Sequence, residues 1–290
     1  MAEKIWVGIT AHDPMSRLST LLLVVSQYEK FVEDVSIKVY IDYDSQDIAD
    51  DLHGFLSNFN LEIEVVVCSP DFKGYALCWA HKLDFAMSAF NQEFDYYIYQ
   101  ENDMVLTRDN FNYWKSWYKR LEPLGLEPGF IRYELYEGSK IPFDNYLVHS
   151  LTKTTPNVWT DEGFKPLNVL CVDHEVDFFT QAANPYYGAM ILSSDKAKEY
   201  LFTDAFDMHK SYKYVGKRNW PLADRSSMGL TFYAPEGAEH RRSIPIKKKG
   251  DSFLPKPECL IEHHSNRYSQ ELAEKAHEPL LTTDNIFTVP

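Results

Sequence analysis

The sequence predicts an α/β fold with a central, mostly parallel sheet flanked by helices. Three observations carry this: short β-branched or aromatic runs alternate with helix-length amphipathic segments over the first hundred residues, no internal repeat interrupts them, and the rhythm turns irregular after about Asn110. KIWVGIT (Lys4 to Thr10) reads as the first strand, and Arg17 to Lys30 as a helix with Leu18, Leu21, Leu22, Val25 and Tyr28 at helical spacing. SIKVYID (Ser36 to Asp42) is the second strand. Asp47 to Phe59 is the second helix, with Ile48, Leu52, Phe55 and Leu56 on one side. LEIEVVV (Leu61 to Val67) follows as a strand, then Tyr75 to Phe90 as a helix whose Trp79, Leu83, Met87 and Phe90 step along one face. DYYIYQ (Asp95 to Gln100) is the fourth strand. Later come a helix over Phe111 to Leu121, a strand over Tyr186 to Leu192, a helix over Lys196 to Phe202 after a Ser193-Ser194-Asp195 cap, and a short helix from Ala223-Asp224 toward Leu230. This reads as one domain over 1–290, with a regular half at 1–106 and an elaborated C-terminal half at 107–290.

Composition narrows the function. The 290 residues carry 29 basic and 43 acidic side chains, a net charge of −14. So acidic a chain is unsuited to nonspecific binding of nucleic acid or an anionic membrane, both of which need phosphate-neutralising lysine and arginine. The longest aliphatic run, Leu21 to Val25, is far short of the ~20 residues that span a bilayer. MAEKIWVGIT lacks the apolar core of a signal peptide, and Cys68, Cys78, Cys171 and Cys259 show no paired spacing. The expectation is a cytoplasmic, reduced protein without an integral membrane segment. No G-x-G-x-x-G follows a strand and no G-x-S-x-G is present, which excludes a dinucleotide oxidoreductase and a serine hydrolase of the usual kinds.

Ligands of parallel sheets sit beyond the carboxyl ends of the strands, so the residues just after each strand are the candidates. Glu101-Asn102-Asp103 closes the fourth strand, and carboxylates two apart at a strand end can face the same way and hold Mn²⁺ or Mg²⁺. Far along the chain, LIE-His263-His264 offers an imidazole for the same ion, His264 being preferred, with Arg267 directed at a phosphate. Thr10 and His12, after the first strand, can line a base pocket. Asp42 and Asp44, after the second, can accept hydrogen bonds from a ribose or base N–H. His81 and Lys82 can approach ribose or phosphate. Arg241, Arg242, Lys247, Lys248 and Lys249 stand in an expected loop able to fold over a pyrophosphate.

Taken in order, the N-terminal run, the E-x-D triplet and the late histidine resemble the GT-A-fold nucleotide-sugar glycosyltransferases, over roughly residues 4 to 270. YYIYQENDMVLTRDNFNYWKSW is similar to that family's metal-site strand and following helix, GFIRYELYE to the next strand, and NPYYGAMILSSDKAKEYL to the acceptor-side segment. WPLADRSSMGLTF sits where inverting members place an acidic residue at a helix start. The resemblance implies a GT-A-like Rossmann-type sandwich, a UDP- or GDP-sugar donor, and a divalent cation on Glu101, Asp103 and His264. It implies Asp224 as general base of an inverting displacement. Glu101 stands where the family's motif opens with Asp, and the family's acidic doublet is reduced to Ala223-Asp224.

The expected function is therefore a metal-dependent transfer of a sugar from a nucleotide diphosphate to a saccharide or lipid-linked acceptor. The cation would neutralise the leaving diphosphate, and a carboxylate would take the acceptor proton. Glu175, Asp177 and Asp207 are alternative bases. Trp220 and Tyr186-Tyr187 are aromatic platforms suited to a sugar face. A sugar nucleotidyltransferase is the enzymatic alternative, weakened because GITAHDPMSR lacks a glycine-rich basic loop. A non-catalytic carbohydrate-binding protein of the same fold is the other.

Overall fold

The computed structural model describes residues 2–142, 159–160, 163–164, 168–172, 175–180, 185–214, 220–236, 238, 240–249, 252–265 and 267–275. The chain divides into two compact units, Met1–Arg108 with Gly188–Leu230, and Asp109–Tyr187 with Thr231–Pro290. The predicted N-terminal half thus forms the first unit together with a later segment.

The first unit is the α/β sheet. Strands β1 (Lys4–Ala11), β2 (Asp34–Ile41), β3 (Glu62–Val67) and β4 (Tyr96–Glu101) are joined by helices α1 (Leu18–Tyr28), α2 (Ala49–Leu56) and α3 (Lys82–Asn91). β1 pairs in parallel with both β2 and β4, and β2 with β3. The strand Ala189–Ser193 adds antiparallel to β4, giving a five-stranded sheet in the order Ala189–Ser193, β4, β1, β2, β3. Both faces are covered, which is why β1 is buried at every position after Lys4. Alternation along β1 sends Trp6 to the face that carries Tyr40, Tyr97 and Tyr99. Phe85 of α3 and Tyr200 of the helix Ser194–Leu201 pack into that aromatic core. Gly8 is required there, since a Cβ would lie 2.6 Å from the Trp6 ring. On the opposite face Tyr28 of α1 donates to the Gln100 side chain at 2.7 Å.

Two predicted helices differ in detail. The segment before α2 is a 3₁₀ helix, Tyr43–Ile48, and Phe55 is exposed while Leu52 and Leu56 are buried. The third helix is split into a 3₁₀ segment, Gly74–Trp79, and α3. The split changes the phase: Lys82, Phe85, Ser88 and Ala89 are buried, whereas Leu83, Met87 and Phe90 face outward at 72%, 61% and 62% exposure. The apolar spacing was real, but it marks the outer face.

Among its described residues the second unit holds most of the helix Arg108–Leu121, an antiparallel pair of Trp159–Thr160 with Gly163–Phe164, and two larger sheets. In one, Asn168–Val172, Glu175–Thr180, Arg242–Lys249 and Ser252–Pro255 run antiparallel in that order, with Glu127–Pro128 parallel to the start of Arg242–Lys249. In the other, Leu260–His263 lies parallel to Ile131–Tyr136, which turns back antiparallel into Ser139–Ile141. Asn110 ties the helix down by donating to the carbonyls of Glu258 and Leu260 at 2.7 and 2.9 Å. The expected basic lid is corrected here. Arg242–Lys249 is a strand, and Arg241 and Arg242 are buried. Arg242 packs over the Tyr187 ring, with Nε 3.4 Å from Glu127. Its charge serves the core of the unit, which a mobile loop cation cannot do. No described helix is long and apolar enough to cross a membrane.

Candidate functional site

Strand order fixes where a ligand can enter. From β1 the chain proceeds outward through β2 and β3, then returns to the other side of β1 as β4. Loops leaving the carboxyl ends of β1 and β4 therefore diverge, opening a crevice at this reversal. Thr10 is in register with Glu101, and the Asn102 N–H donates to the Thr10 carbonyl at 3.1 Å. The triplet Glu101-Asn102-Asp103 is thus fastened beside the end of β1. Gly188 completes the fastening: its carbonyl accepts from the Glu101 N–H at 3.0 Å. Its φ is +65°, and a Cβ would meet Met104 Cγ at 2.7 Å.

The side chains around this crevice are polar and largely buried. Thr10 Oγ1 and Tyr99 Oη are 3.0 Å apart. His12, exposed at the mouth, bonds through Nδ1 to Asp42 Oδ2 at the end of β2. Arg17, at the entry to α1, reaches Asp103 Oδ2 at 3.2 Å. The buried atoms without a hydrogen-bond partner include Asp42 Oδ1, an acceptor, and Asn102 Nδ2, a donor. Buried polar atoms are satisfied as a rule, so an acceptor and a donor left open on either side of β1 fit a ligand that offers both kinds of group.

Cys78 reports the positions of the remaining carboxylates. Its thiol is pushed up to about 12, first by burial and then by the negative charges of Glu101 and Asp224, while the Tyr99 and Thr10 hydroxyls work in the opposite direction. Asp224, on the short helix Leu222–Ser226, and Glu101 therefore act on the same half-buried residue. This thiol is inert as a nucleophile at neutral pH.

The structure brings Thr10, His12, Asp42, Glu101, Asn102, Asp103 and Asp224 into the first unit. Asp44 lies on the 3₁₀ helix Tyr43–Ile48, exposed and 3.7 Å from Lys73. Lys82 turns inward: its amine bonds Tyr200 Oη at 2.8 Å and the Ser226 carbonyl at 2.9 Å, among the rings of Trp79, Tyr200 and Phe206. His81 is also fully buried, stacked on Tyr99 at 4.0 Å between ring centroids. These two residues act inside the fold, in place of the ribose or phosphate contact expected of them.

The late histidines belong to the second unit. His263 is buried with Nδ1 2.6 Å from Glu134 Oε1, and His264 is half exposed with Nδ1 2.8 Å from Glu262. Arg267 is exposed and pairs with Glu271 one turn along its helix, at 3.1 Å. Among the alternative bases, Asp207 is occupied in capping His209 and Lys210. Glu175 and Asp177 lie on the strand Glu175–Thr180.

Among the described residues no group of three or more His, Cys, Asp and Glu is assembled to hold a metal ion. A hard ion such as Mg²⁺ commonly takes one or two carboxylates and completes its shell with water and phosphate oxygens. The donor chemistry of Glu101 and Asp103 fits that mode. Sequence reasoning missed Arg17 and Cys78. Arg17 had a signal, being the only Lys or Arg in the connection from β1 to α1.

No protein family and no curated protein sequence matches the chain. Among solved structures it is similar to a 4-diphosphocytidyl-2C-methyl-D-erythritol synthase from Anaerococcus prevotii, at 13% identity and a TM-score of 0.37, covering 77% of this chain and 81% of that one. It is also similar to residues 1–349 of S. aureus TarS, at 7% identity and a TM-score of 0.29, covering 46% of this chain and 36% of that one. Likeness at this level carries no argument about chemistry, so the functional reading rests on the crevice itself.

Proposed function

We propose that the chain is a glycosyltransferase that takes a sugar from a nucleotide diphosphate, UDP or GDP, and passes it to a saccharide or lipid-linked acceptor. The observation that carries the reading is the pair of unsatisfied buried atoms, Asp42 Oδ1 and Asn102 Nδ2, flanking β1 at the sheet's reversal point. A nucleoside supplies N–H and hydroxyl donors for the first, and a ribose or diphosphate oxygen supplies the acceptor for the second. Glu101 and Asp103 would hold Mn²⁺ or Mg²⁺, which supplies Lewis-acid neutralisation of the leaving diphosphate.

The chain's own residues do the rest. Arg17, held at the crevice by Asp103, adds a guanidinium that can turn to a phosphate oxygen. His12 and Asp42 fix the base and ribose side. Asp224 removes the acceptor hydroxyl proton in a single displacement, which inverts the anomeric centre.

Calorimetric titration with UDP and with GDP, each with and without Mn²⁺, tests this on wild type and Asp103→Ala. Binding of one nucleotide at micromolar strength, weakened about tenfold or more when either Mn²⁺ or Asp103 is removed, is the expected result. Binding of neither nucleotide under any condition refutes the donor site as drawn. Saccharide binding indifferent to Mn²⁺ would favour a non-catalytic carbohydrate-binding protein instead.

A further inference from the structure

We propose that Trp79 and Lys82 are positioning residues that clamp the two ends of the helix Leu222–Ser226 and so hold Asp224 beside Cys78 and Glu101. This rests on the reading of Asp224 as the proton acceptor.

The helix has five residues, too few to be stable on its own hydrogen bonds. Its geometry must be imposed from outside, and two side chains of one neighbouring segment do so. The Trp79 indole N–H donates to the Leu222 carbonyl at 2.8 Å, at the first residue of the helix. The Lys82 amine donates to the Ser226 carbonyl at 2.9 Å, at the last. The clamp is itself rigid. Trp79 is 1% exposed, and the Lys82 amine is held by Tyr200 Oη and sits between 4.7 and 5.5 Å from the centroids of three rings. Ser226 Oγ adds a longer contact to Tyr99 Oη, 3.4 Å away, and that hydroxyl lies within 3.0 Å of Thr10 Oγ1. A chain of contacts thus runs from the clamp to the end of β1.

The arrangement explains what the surface chemistry does not. A lysine placed in an aromatic pocket, with a phenol and a peptide carbonyl for partners, is costly to bury and does nothing for a donor nucleotide directly. Its one polar service that reaches the crevice is to the helix bearing Asp224. Cys78 precedes Trp79 directly, so the segment that carries the clamp also carries a thiol that senses Asp224.

The test uses Trp79→Phe, which keeps the ring and removes only the N–H, and Lys82→Met, which keeps the chain length and removes the amine. Two readings are taken on each. The first is steady-state sugar transfer, split into kcat and the donor KM. The second is the rate of Cys78 alkylation by iodoacetamide at pH 9, followed by mass spectrometry of its peptide, which needs no donor. The clamp predicts kcat lower by about 10- to 100-fold with the donor KM within about twofold, as expected for a misplaced reacting group. It also predicts Cys78 alkylation faster by about fivefold or more, as the helix loosens and Asp224 withdraws. Unchanged Cys78 alkylation in well-folded Trp79→Phe overturns the clamp whatever the activity does. Parallel loss of kcat, donor affinity and melting temperature also overturns it, in favour of a general packing role. If alkylation accelerates as expected but wild type transfers sugar from no nucleotide donor, the clamp stands and the reading of Asp224 falls.

Discussion

Lys82 and His81 tie stability to pH in a direction that can be worked out from their surroundings. Burial drives the Lys82 amine well below its ordinary value of 10.5. His81 is likewise driven well below 6.5, first by burial and then by the adjacent Lys82 charge. In the unfolded chain both regain their ordinary values. Between the lowered folded value and 10.5, the unfolded state binds one more proton than the folded state at Lys82. Stability therefore rises with pH across that window, by up to about 1.4 kcal/mol per pH unit for one proton. His81 adds a second such contribution below pH 6.5, so stability falls more steeply on the acid side. In Lys82→Met the lysine contribution vanishes, while every other titrating group is common to both proteins. The difference in unfolding free energy between wild type and variant should then grow with pH between the lowered folded value and 10.5, by up to about 1.4 kcal/mol per pH unit. The offset at any one pH is a separate matter, because the variant loses the bonds to Tyr200 and Ser226 while escaping the burial of an amine. Urea titrations of both proteins at pH 7.5, 8.5 and 9.5, followed by tryptophan fluorescence, measure the slope. Parallel stability curves would refute the reasoning, since they would mean that Lys82 keeps its proton inside the fold.

Other outcomes follow from single sites. Gly188→Ala forces a Cβ into a backbone of φ +65° and against Met104. It should cost about 1 to 3 kcal/mol by thermal melting and weaken nucleotide binding, because the Gly188 carbonyl fastens Glu101. Arg17→Gln should lower affinity for a nucleoside diphosphate about tenfold and flatten its salt dependence, with affinity for the bare nucleoside unchanged by calorimetry. In the second unit, burial raises the Glu134 carboxyl, but the hydrogen bonds from His263 and the Ser269 N–H outweigh it and leave the group below 4.5. Its stabilisation is present above pH 4.5 and is lost as pH falls through the lowered value. Glu134→Gln should thus cost about 1 to 3 kcal/mol at neutral pH, a difference that shrinks as pH falls below 4.5 and through the lowered value, read by urea titration.

Where local pattern and tertiary demand agree, the chain is readable. β1 to β4 are short, strongly β-forming runs between polar turns, and covering both faces of the sheet needs nothing beyond those residues. Because Gly74–Trp79 is a 3₁₀ segment that turns faster, a single 3.6-residue phase over Tyr75 to Phe90 misplaces the inner face of the third helix. Its true inner face includes Lys82 and Ser88, whose polarity disguises burial, while the apolar Leu83, Met87 and Phe90 advertise a core they do not join. The basic run Arg241–Lys249 misled for the reverse reason. Arg241 and Arg242 are buried, and Arg242 is held inside a unit by partners far off in sequence, Glu127 and the Tyr187 ring, pairings of which periodicity carries no trace.

The crevice was legible to the extent that strand ends are legible. Topology alone puts Thr10, Asp42 and the 101–103 triplet at the reversal point, because β4 must return beside β1 for the helices to cover both faces. What topology could not supply is which side chains the crevice already uses. Arg17 and Asp103 lie 86 positions apart and meet only once β4 is beside β1. Cys78 becomes informative only because Glu101 and Asp224, from the two separate segments of the unit, both act on it. Sequence separation explains the omission, and it also directs the next experiment. A pair of distant residues that meets at the one place where the sheet reverses has no packing reason to be charged. Arg17 should therefore be substituted alone and together with Asp103. If the two act as one unit on the diphosphate, the double variant will lose less nucleotide affinity than the sum of the single losses. If their effects add within about 0.5 kcal/mol, the two residues act independently of one another and the ion pair is not the unit that binds the diphosphate.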